Sequence, residues 1–401
     1  MEREALKKFT NFLKEMNEES EKKLKHLEHA EDHPINAGHE GVQHAMSNLL
    51  DVHRKLRGRN NDTKITMKYD GSPSVVFGHH PQTGKFFVAS KSAFNKNPKL
   101  NYTEEDIVKN HGHAPGLVEK LKHALNHLPK VIPPRGVYQG DIMHTHGDVK
   151  EHGHKVLFTP NTITYSAKKS SPHGKAALAS KIGVAVHTAY KGDNLEDMEA
   201  QYAPDLSHFG NHKDVHLIST EHDLSQTKYH PEQQKAFNTH MKEAQRLSRQ
   251  LSADSHDAVE PHRLPLKTYI NSTVRDGTTP DVDGFMKHYQ GAHQKGIDKV
   301  KTEKTKQAKT VEMQRAMQHV MDNKHHFHNM LQLHKSLQDA KGHLVQALSS
   351  NSEFEHHIDG KKAKPEGFVV VRNNRPTKFV DRKEFSAANF NRPKPGAEKD
   401  G

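Results

Sequence analysis

The spacing of apolar residues along this chain changes twice, from helical to alternating and back to helical. In residues 1–28, Leu6, Phe9, Leu13, Met16, Leu24 and Leu27 form a rough helical stripe. The segment EDHPINAGHEG breaks it with Pro34 and Gly38. A cleaner stripe follows in Val42, Met46, Leu49, Leu50, His53 and Leu56, with Gly58 as the expected stop. KITMKYD, SVVFG and KFFVAS are short, rich in β-branched and aromatic residues and bounded by turn residues, so they predict strands. Two helices interrupt them, one opened by Thr103 and one carrying Leu117, Leu121, Ala124, Leu125 and Leu128. Strand signals resume at GVYQGDIM, KVLFTP, TITYS, GVAVHTAY and DVHLIST. From about 230 to 350 the pattern is helical, with stripes at Phe237, Met241, Ala244, Leu247 and Leu251 and at Met330, Leu333, Leu337, Leu344 and Leu348. The charged run KVKTEKTKQAKT lies between these stripes. GFVVV and TKFVD return to strand, and the tail NRPKPGAEKDG is expected to be disordered.

These elements predict an α+β fold: a mostly antiparallel sheet core with N-terminal helices and a large all-helical insertion. The expected segments are N-terminal helices over 1–60, the first part of the core over 61–225 and the insertion over 226–355. The last strands of the core take 356–390, and a disordered tail takes 391–401.

Composition narrows the function. Hydrophobic residues make up 32 % of the chain and no run approaches the roughly 18 apolar residues of a membrane span, so no membrane partner is expected. The N-terminus is charged and helix-patterned, unlike a signal peptide. Cysteine is absent, which excludes a disulfide framework and a thiolate zinc site and fits a reducing cytoplasm. A net charge of +11 favours a polyanionic partner, of which nucleic acid is the commonest. The 36 histidines read either as metal ligands or as polar surface. In HTHGDVKEHGH, His144, His146, His152 and His154 include His-x-His pairs able to ligate a metal, but the glycine-containing loop between them favours solvated positions. NKHHFHN likewise reads as polar surface.

The chemistry concentrates in ITMKYDGSPSVVFG, where Lys68 and Asp70 end an apolar run and Gly71, Ser72 and Pro73 turn the chain at once. Such a site is either an ordinary hairpin or a presented side chain. Further charged residues in strand contexts are Lys91, Asp141, Glu366 and Lys378. In this order they resemble the covalent nucleotidyltransferases, the superfamily of ATP-dependent DNA ligases, RNA ligases and capping enzymes. KYDG matches the K-x-D-G nucleophile motif, and KYDGS is closer to phage-type RNA ligases. FVASKSAF, GVYQGDIM, PEGFVVV and TKFVD resemble the motifs that follow. TMKYDGSPSVVFG together with VLFTPNTITY also resembles ligase-like phage proteins. The resemblance covers about 68–165 and 366–380 and leaves the helical block and the first 60 residues outside.

The resemblance implies a nucleotidyltransferase (ATP-grasp-like) core that uses ATP and Mg²⁺ and acts on RNA or DNA ends. Lys68 would attack the α-phosphate of ATP and form lysyl-AMP. A free lysine titrates at about 10.4, so making it nucleophilic at neutral pH takes roughly 3–4 kcal/mol of destabilisation of the ammonium form. Desolvation, Mg²⁺ and a second cation, Lys378, would supply this. Asp70 would orient the amine, Glu366 would hold Mg²⁺, Asp141 would bond ribose hydroxyls, Lys91 would reach a phosphate and Phe158 would stack on adenine. Two positions depart from the family pattern: Asp141 stands where the family has glutamate, and Pro376 where an earlier lysine is usual, with Arg375 or Arg382 nearby. Nothing resembling the C-terminal nucleic-acid barrel of DNA ligases and capping enzymes follows Lys378, which favours an RNA-ligase-like enzyme in a host cytoplasm if phage-encoded. The rivals are a non-catalytic nucleic-acid-binding or virion-associated phage protein with a degenerate ligase fold, and a nucleotidyltransferase with another acceptor, as in protein AMP transfer or capping. The pattern leaves the oligomeric state open.

Overall fold

The computed structural model describes residues 27–382, so most of the first expected stripe and the expected tail lie outside the described residues. Along the chain run α1 (His33–Leu56), β1 (Lys64–Lys68), β2 (Ser74–His79), β3 (Phe86–Ala89), α2 (Glu104–His111) and α3 (Pro115–His127). Then come β4 (Val137–Thr145), β5 (Lys150–His152), β6 (Lys155–Phe158), β7 (Thr164–Lys168), α4 (Pro172–Ala179), β8 (Ile182–Lys191), β9 (Glu199–Tyr202) and β10 (Val215–Ile218). The helical block holds α5 (Pro231–Ser248), α6 (Ala253–Val259), α7 (Arg263–Asp276), α8 (Val282–Asp298), α9 (Glu303–Asp322) and α10 (Lys324–Leu348). The chain closes with β11 (Glu355–Ile358), β12 (Lys361–Ala363), β13 (Gly367–Arg372) and β14 (Arg375–Phe379). The architecture is therefore mixed α+β, with N-terminal helix, sheet core and a large all-helical insertion, α5–α10. No helix among the described residues is long and apolar enough to cross a membrane.

Two compact units divide the chain. The first comprises 1–61, 229–347 and 377–401, and the second 62–228 and 348–376. In the first unit, Ile35, Leu266, Phe285, Val320, Phe327 and Met330 form a core between helices. Within EDHPINAGHEG the backbone leaves helical geometry at Ala37 and Gly38, so the break expected at Gly38 is present, while Pro34 does not break the chain. Pro34 sits in the first turn of α1, where its missing N–H costs nothing, and the helix resumes after a kink at Ala37 and Gly38. Gly38 has φ +51°, and a Cβ there would lie 2.7 Å from the ring of His256. Glycine is needed at the kink on both counts.

In the second unit the strand order is β10-β8-β4-β2-β3 with β9 on β8, and β12-β11-β7-β6-β5 in a second sheet. Both sheets are antiparallel apart from β8 with β10. The apolar run of β2 splits by alternation: Val75 and Phe77 face a core with Leu121 and Ala124 of α3 and Leu128 just after it, while Val76 faces Phe87, Ala89 and Ala93. Thr103 caps α2 through a reciprocal pair of bonds with Asp106. A third sheet runs β1-β13-β14, and β14 carries the chain from the second unit into the first.

Candidate functional site

Lys68 is the last residue of β1, and the antiparallel register sets it opposite Gly367, so Glu366 becomes its neighbour across 298 positions of sequence. The Lys68 ammonium is ion-paired with Glu366 Oε1. The amine keeps partial access to water, whereas the Glu366 side chain is only 10 % exposed. Burial, reinforced by the negative charges of Asp70 and Asp141 and opposed by Lys68, pushes the Glu366 carboxyl up to about 7. Its second oxygen, Oε2, is buried without a hydrogen-bond partner.

After Lys68 the chain turns through Asp70, Gly71 and Ser72 into β2, where Ser74 pairs with Asp141 of β4. The sequence assigns Gly71 to the turn itself. Its structural reason is a close approach: a Cβ there would fall 2.4 Å from the Asp141 Cβ and 2.9 Å from Met143 Sδ. The Ser72 N–H donates to the Ile142 carbonyl at 3.0 Å, and Lys120 of α3 donates to the Ser72 carbonyl at 2.8 Å. The motif is thus pinned between β4 and α3, and the bond to β4 sets Asp141 beside it. His187 Nε2 of β8 lies 3.7 Å from Asp141 Oδ1.

The bonds of the Asp70 carboxylate run to the loop before β7 rather than to the amine. Asn161 Nδ2 donates to Oδ1 at 2.9 Å, and the Thr162 and Ile163 N–H groups donate to Oδ2 at 2.7 and 3.0 Å. The Asp70 N–H donates to Tyr165 Oη at 2.7 Å. Asp70 is thus locked by four bonds, and its charge raises the Glu366 carboxyl. Asn161, Thr162 and Tyr165 were not singled out from the sequence; VLFTPNTITY, part of the resemblance, was the signal that contained them.

Lys68, Asp70, Asp141 and Glu366 come together in the second unit. Phe158 belongs to that unit but not to an open face: it is 1 % exposed, stacked on Tyr165 and edge-on to Phe354. Burial corrects the expectation that it stacks on adenine; it backs the Tyr165 ring instead. Lys91 opens the short 3₁₀ turn Lys91–Phe94 after β3. Lys378 falls in the first unit, where its N–H donates to the Glu28 carbonyl at 2.8 Å.

His144 is fully buried on β4 rather than solvated in a loop, while His146, His152 and His154 are exposed. Its ring begins a chain: His144 Nε2 to His216 Nδ1 at 3.0 Å, His216 Nε2 to His173 Nδ1 at 2.9 Å, and His173 Nε2 to Glu353 at 2.9 Å. A cavity of about 570 Å³ opens at the strand ends away from Lys68, lined by Lys64, Val137, Tyr138, Tyr190, Tyr202 and Val371 among others. Among the described residues no group of three or more histidines or carboxylates is arranged as a metal cluster.

One family model matches residues 21–394. The chain belongs to the family of unknown function DUF6267. The match takes in the helical block as well as the sheet, so in this DUF6267 chain it extends over both units. No curated protein and no solved structure matches the chain.

Proposed function

We propose that this protein is an ATP-dependent polynucleotide ligase-like enzyme with a nucleotidyltransferase core, RNA ends preferred over DNA ends, working through lysyl-AMP on Lys68. The observation that carries the reading is a lysine at a strand end, paired with a buried glutamate whose second oxygen has no partner, beside two further carboxylates. A lone surface hairpin would need none of this burial.

In this reading the Lys68 amine attacks the α-phosphorus of ATP. A P–N bond forms, the bond to the oxygen bridging the α- and β-phosphates breaks, and pyrophosphate leaves with that electron pair. Glu366 takes the amine's proton in this proposal; its raised proton affinity, which supports the assignment, narrows the gap to an amine, ordinarily about 10.4. The unpartnered Oε2 fits Mg²⁺, which is commonly held by one or two carboxylates with phosphates and water, so Glu366 would hold an ion that neutralises phosphate charge. AMP then passes to the 5′-phosphate of a polynucleotide end, freeing the amine, and a 3′-hydroxyl displaces AMP in sealing. Asp141 is assigned to ribose hydroxyls and Lys91 to a phosphate, while the assignment of Lys378 rests on motif order alone.

Incubation with α-labelled ATP and Mg²⁺ followed by a denaturing gel tests the reading. Wild type is expected to retain label and Lys68→Ala to lose it entirely; a folded wild type that takes no label refutes the proposal. Labelling is also expected to speed up as pH rises from the acid side, because the ionised form of Glu366 is needed and burial favours its protonated form. Glu366→Gln should slow labelling by at least roughly 100-fold and flatten that rise. A Glu366→Gln profile parallel to wild type would rule out the proton-accepting role.

The buried Phe158 favours one second reading, a non-catalytic nucleic-acid-binding protein with a degenerate ligase fold, since the base loses its assigned stacking partner. Label that forms but never reaches a polynucleotide end would point to another acceptor.

A further inference from the structure

KVKTEKTKQAKT, read from sequence as a charged, weakly apolar run, folds into the tip of a helical hairpin formed by α8 and α9. From 290 to 315 only Ile297 is buried, so this part of the hairpin has almost no core of its own. Between 295 and 309 stand six lysines, Lys295, Lys299, Lys301, Lys304, Lys306 and Lys309, against two acids, Asp298 and Glu303. The first four are exposed and the last two half-buried. Among the described residues only Lys306 of the six forms an ion pair, with Glu303 at 3.0 Å. Thr302 caps α9 by accepting from the Thr305 N–H, so the cationic turn is held in a defined shape.

We propose that this hairpin tip grips the phosphodiester backbone of nucleic acid without reading its sequence. Lysines on several sides of a thin two-helix element suit phosphates, which call for point charges rather than base-edge geometry. The stretch 290–315 contains no tryptophan, tyrosine or phenylalanine, so it offers no platform for base stacking. The same lack, with Val311 as the large apolar side chain exposed there, argues against insertion into a lipid surface. The inference rests on this charge pattern and not on the chemistry assigned to Lys68.

The test is fluorescence anisotropy of the full chain with labelled single-stranded RNA and duplex DNA of mixed sequence, across a salt series. Lys299→Gln, Lys301→Gln, Lys304→Gln and Lys309→Gln are combined in one variant; the control combines Lys150→Gln, Lys213→Gln, Lys361→Gln and Lys362→Gln, which removes the same charge elsewhere. The hairpin variant is expected to bind about tenfold or more weakly at low salt, with a log–log salt slope shallower by about 3 if each lysine meets one phosphate. The control should change far less. Equal losses in the two variants, or an unchanged slope in the hairpin variant, overturn the proposal. So does hairpin-dependent binding to phosphatidylserine vesicles in preference to the oligonucleotides. Both variants should still label on Lys68 if the proposed reaction is correct; a wild type that binds through the hairpin but takes no label refutes the reaction and leaves the grip standing.

Discussion

Acidification from about pH 7 to about pH 4 is expected to unfold the protein, with the melting temperature falling steadily below about pH 6. Burial holds His144 down at about 4, His356 at about 4 and His262 at about 3, the last with neighbouring histidines adding to the effect. An unfolded histidine titrates near 6.5. Each ring is thus neutral in the fold, and between pH 6.5 and its lowered value the unfolded chain binds the extra proton. Stability is therefore full above about 6.5 and is lost as pH falls through this window. The loss is about 3 kcal/mol per ring by pH 4, so about 6 for the second unit and about 3 for the first. Whole domains are stable by only about 5–15 kcal/mol. His216 and His29, also pushed well down by burial, act in the same direction. Thermal melts at several pH values between 7.5 and 4, monitored by circular dichroism, measure this; a melting temperature unchanged down to about pH 4.5 would contradict it.

Lys341→Met is expected to destabilise the first unit by about 3–5 kcal/mol. Lys341 on α10 is 1 % exposed and donates to both oxygens of Glu31 at 2.7 Å. Beside it Arg382 donates to the two oxygens of Asp32 at 3.0 and 2.9 Å, and His334 meets Asp32 at 3.0 Å. Glu31 and Asp32 are themselves 0 and 2 % exposed. Removing Lys341 leaves Glu31 in the interior without the ammonium that bonds both its oxygens, with the Arg382 guanidinium 3.6 Å away. The cost is that of an underpaired buried charge, which exceeds the net worth of the pair. The double variant Glu31→Gln with Lys341→Met should therefore recover most of the loss. Urea unfolding of wild type and the two variants decides the matter: a Lys341→Met unfolding free energy within about 1 kcal/mol of wild type would show that the network carries little.

The sequence was most legible where local rules are strong. Alternation in SVVFG, KFFVAS and GVYQGDIM placed strands that form, and helical spacing at Phe237 to Leu247 and at Met330 to Leu348 marked buried faces. Motif order brought Lys68, Asp70, Asp141 and Glu366 onto one short list, and the register of β1 with β13 and of β2 with β4 makes neighbours of them. It could not give side-chain partners. Asp70 faces a loop 91 to 93 residues away, and nothing near KYDG announces Asn161 or Thr162. Phe158 and His144 were misread for the same reason, because exposure depends on what packs from elsewhere. Histidine patterns are especially opaque: a ring is polar enough to read as surface and apolar enough to be buried once a neighbouring ring shares a hydrogen bond with it, as His216 does with His144.

Period and turn chemistry act over a few residues, so the chain by itself determined its elements, its lack of thiol chemistry and its excess of positive charge. Tertiary structure alone decided that Glu366 is buried against Lys68, that Gly71 must lack a side chain to admit Asp141, and that Arg382 closes on Asp32 near the other end of the chain. Such contacts join residues far apart in sequence, and their energies depend on water being excluded, a property of the packed whole rather than of any segment.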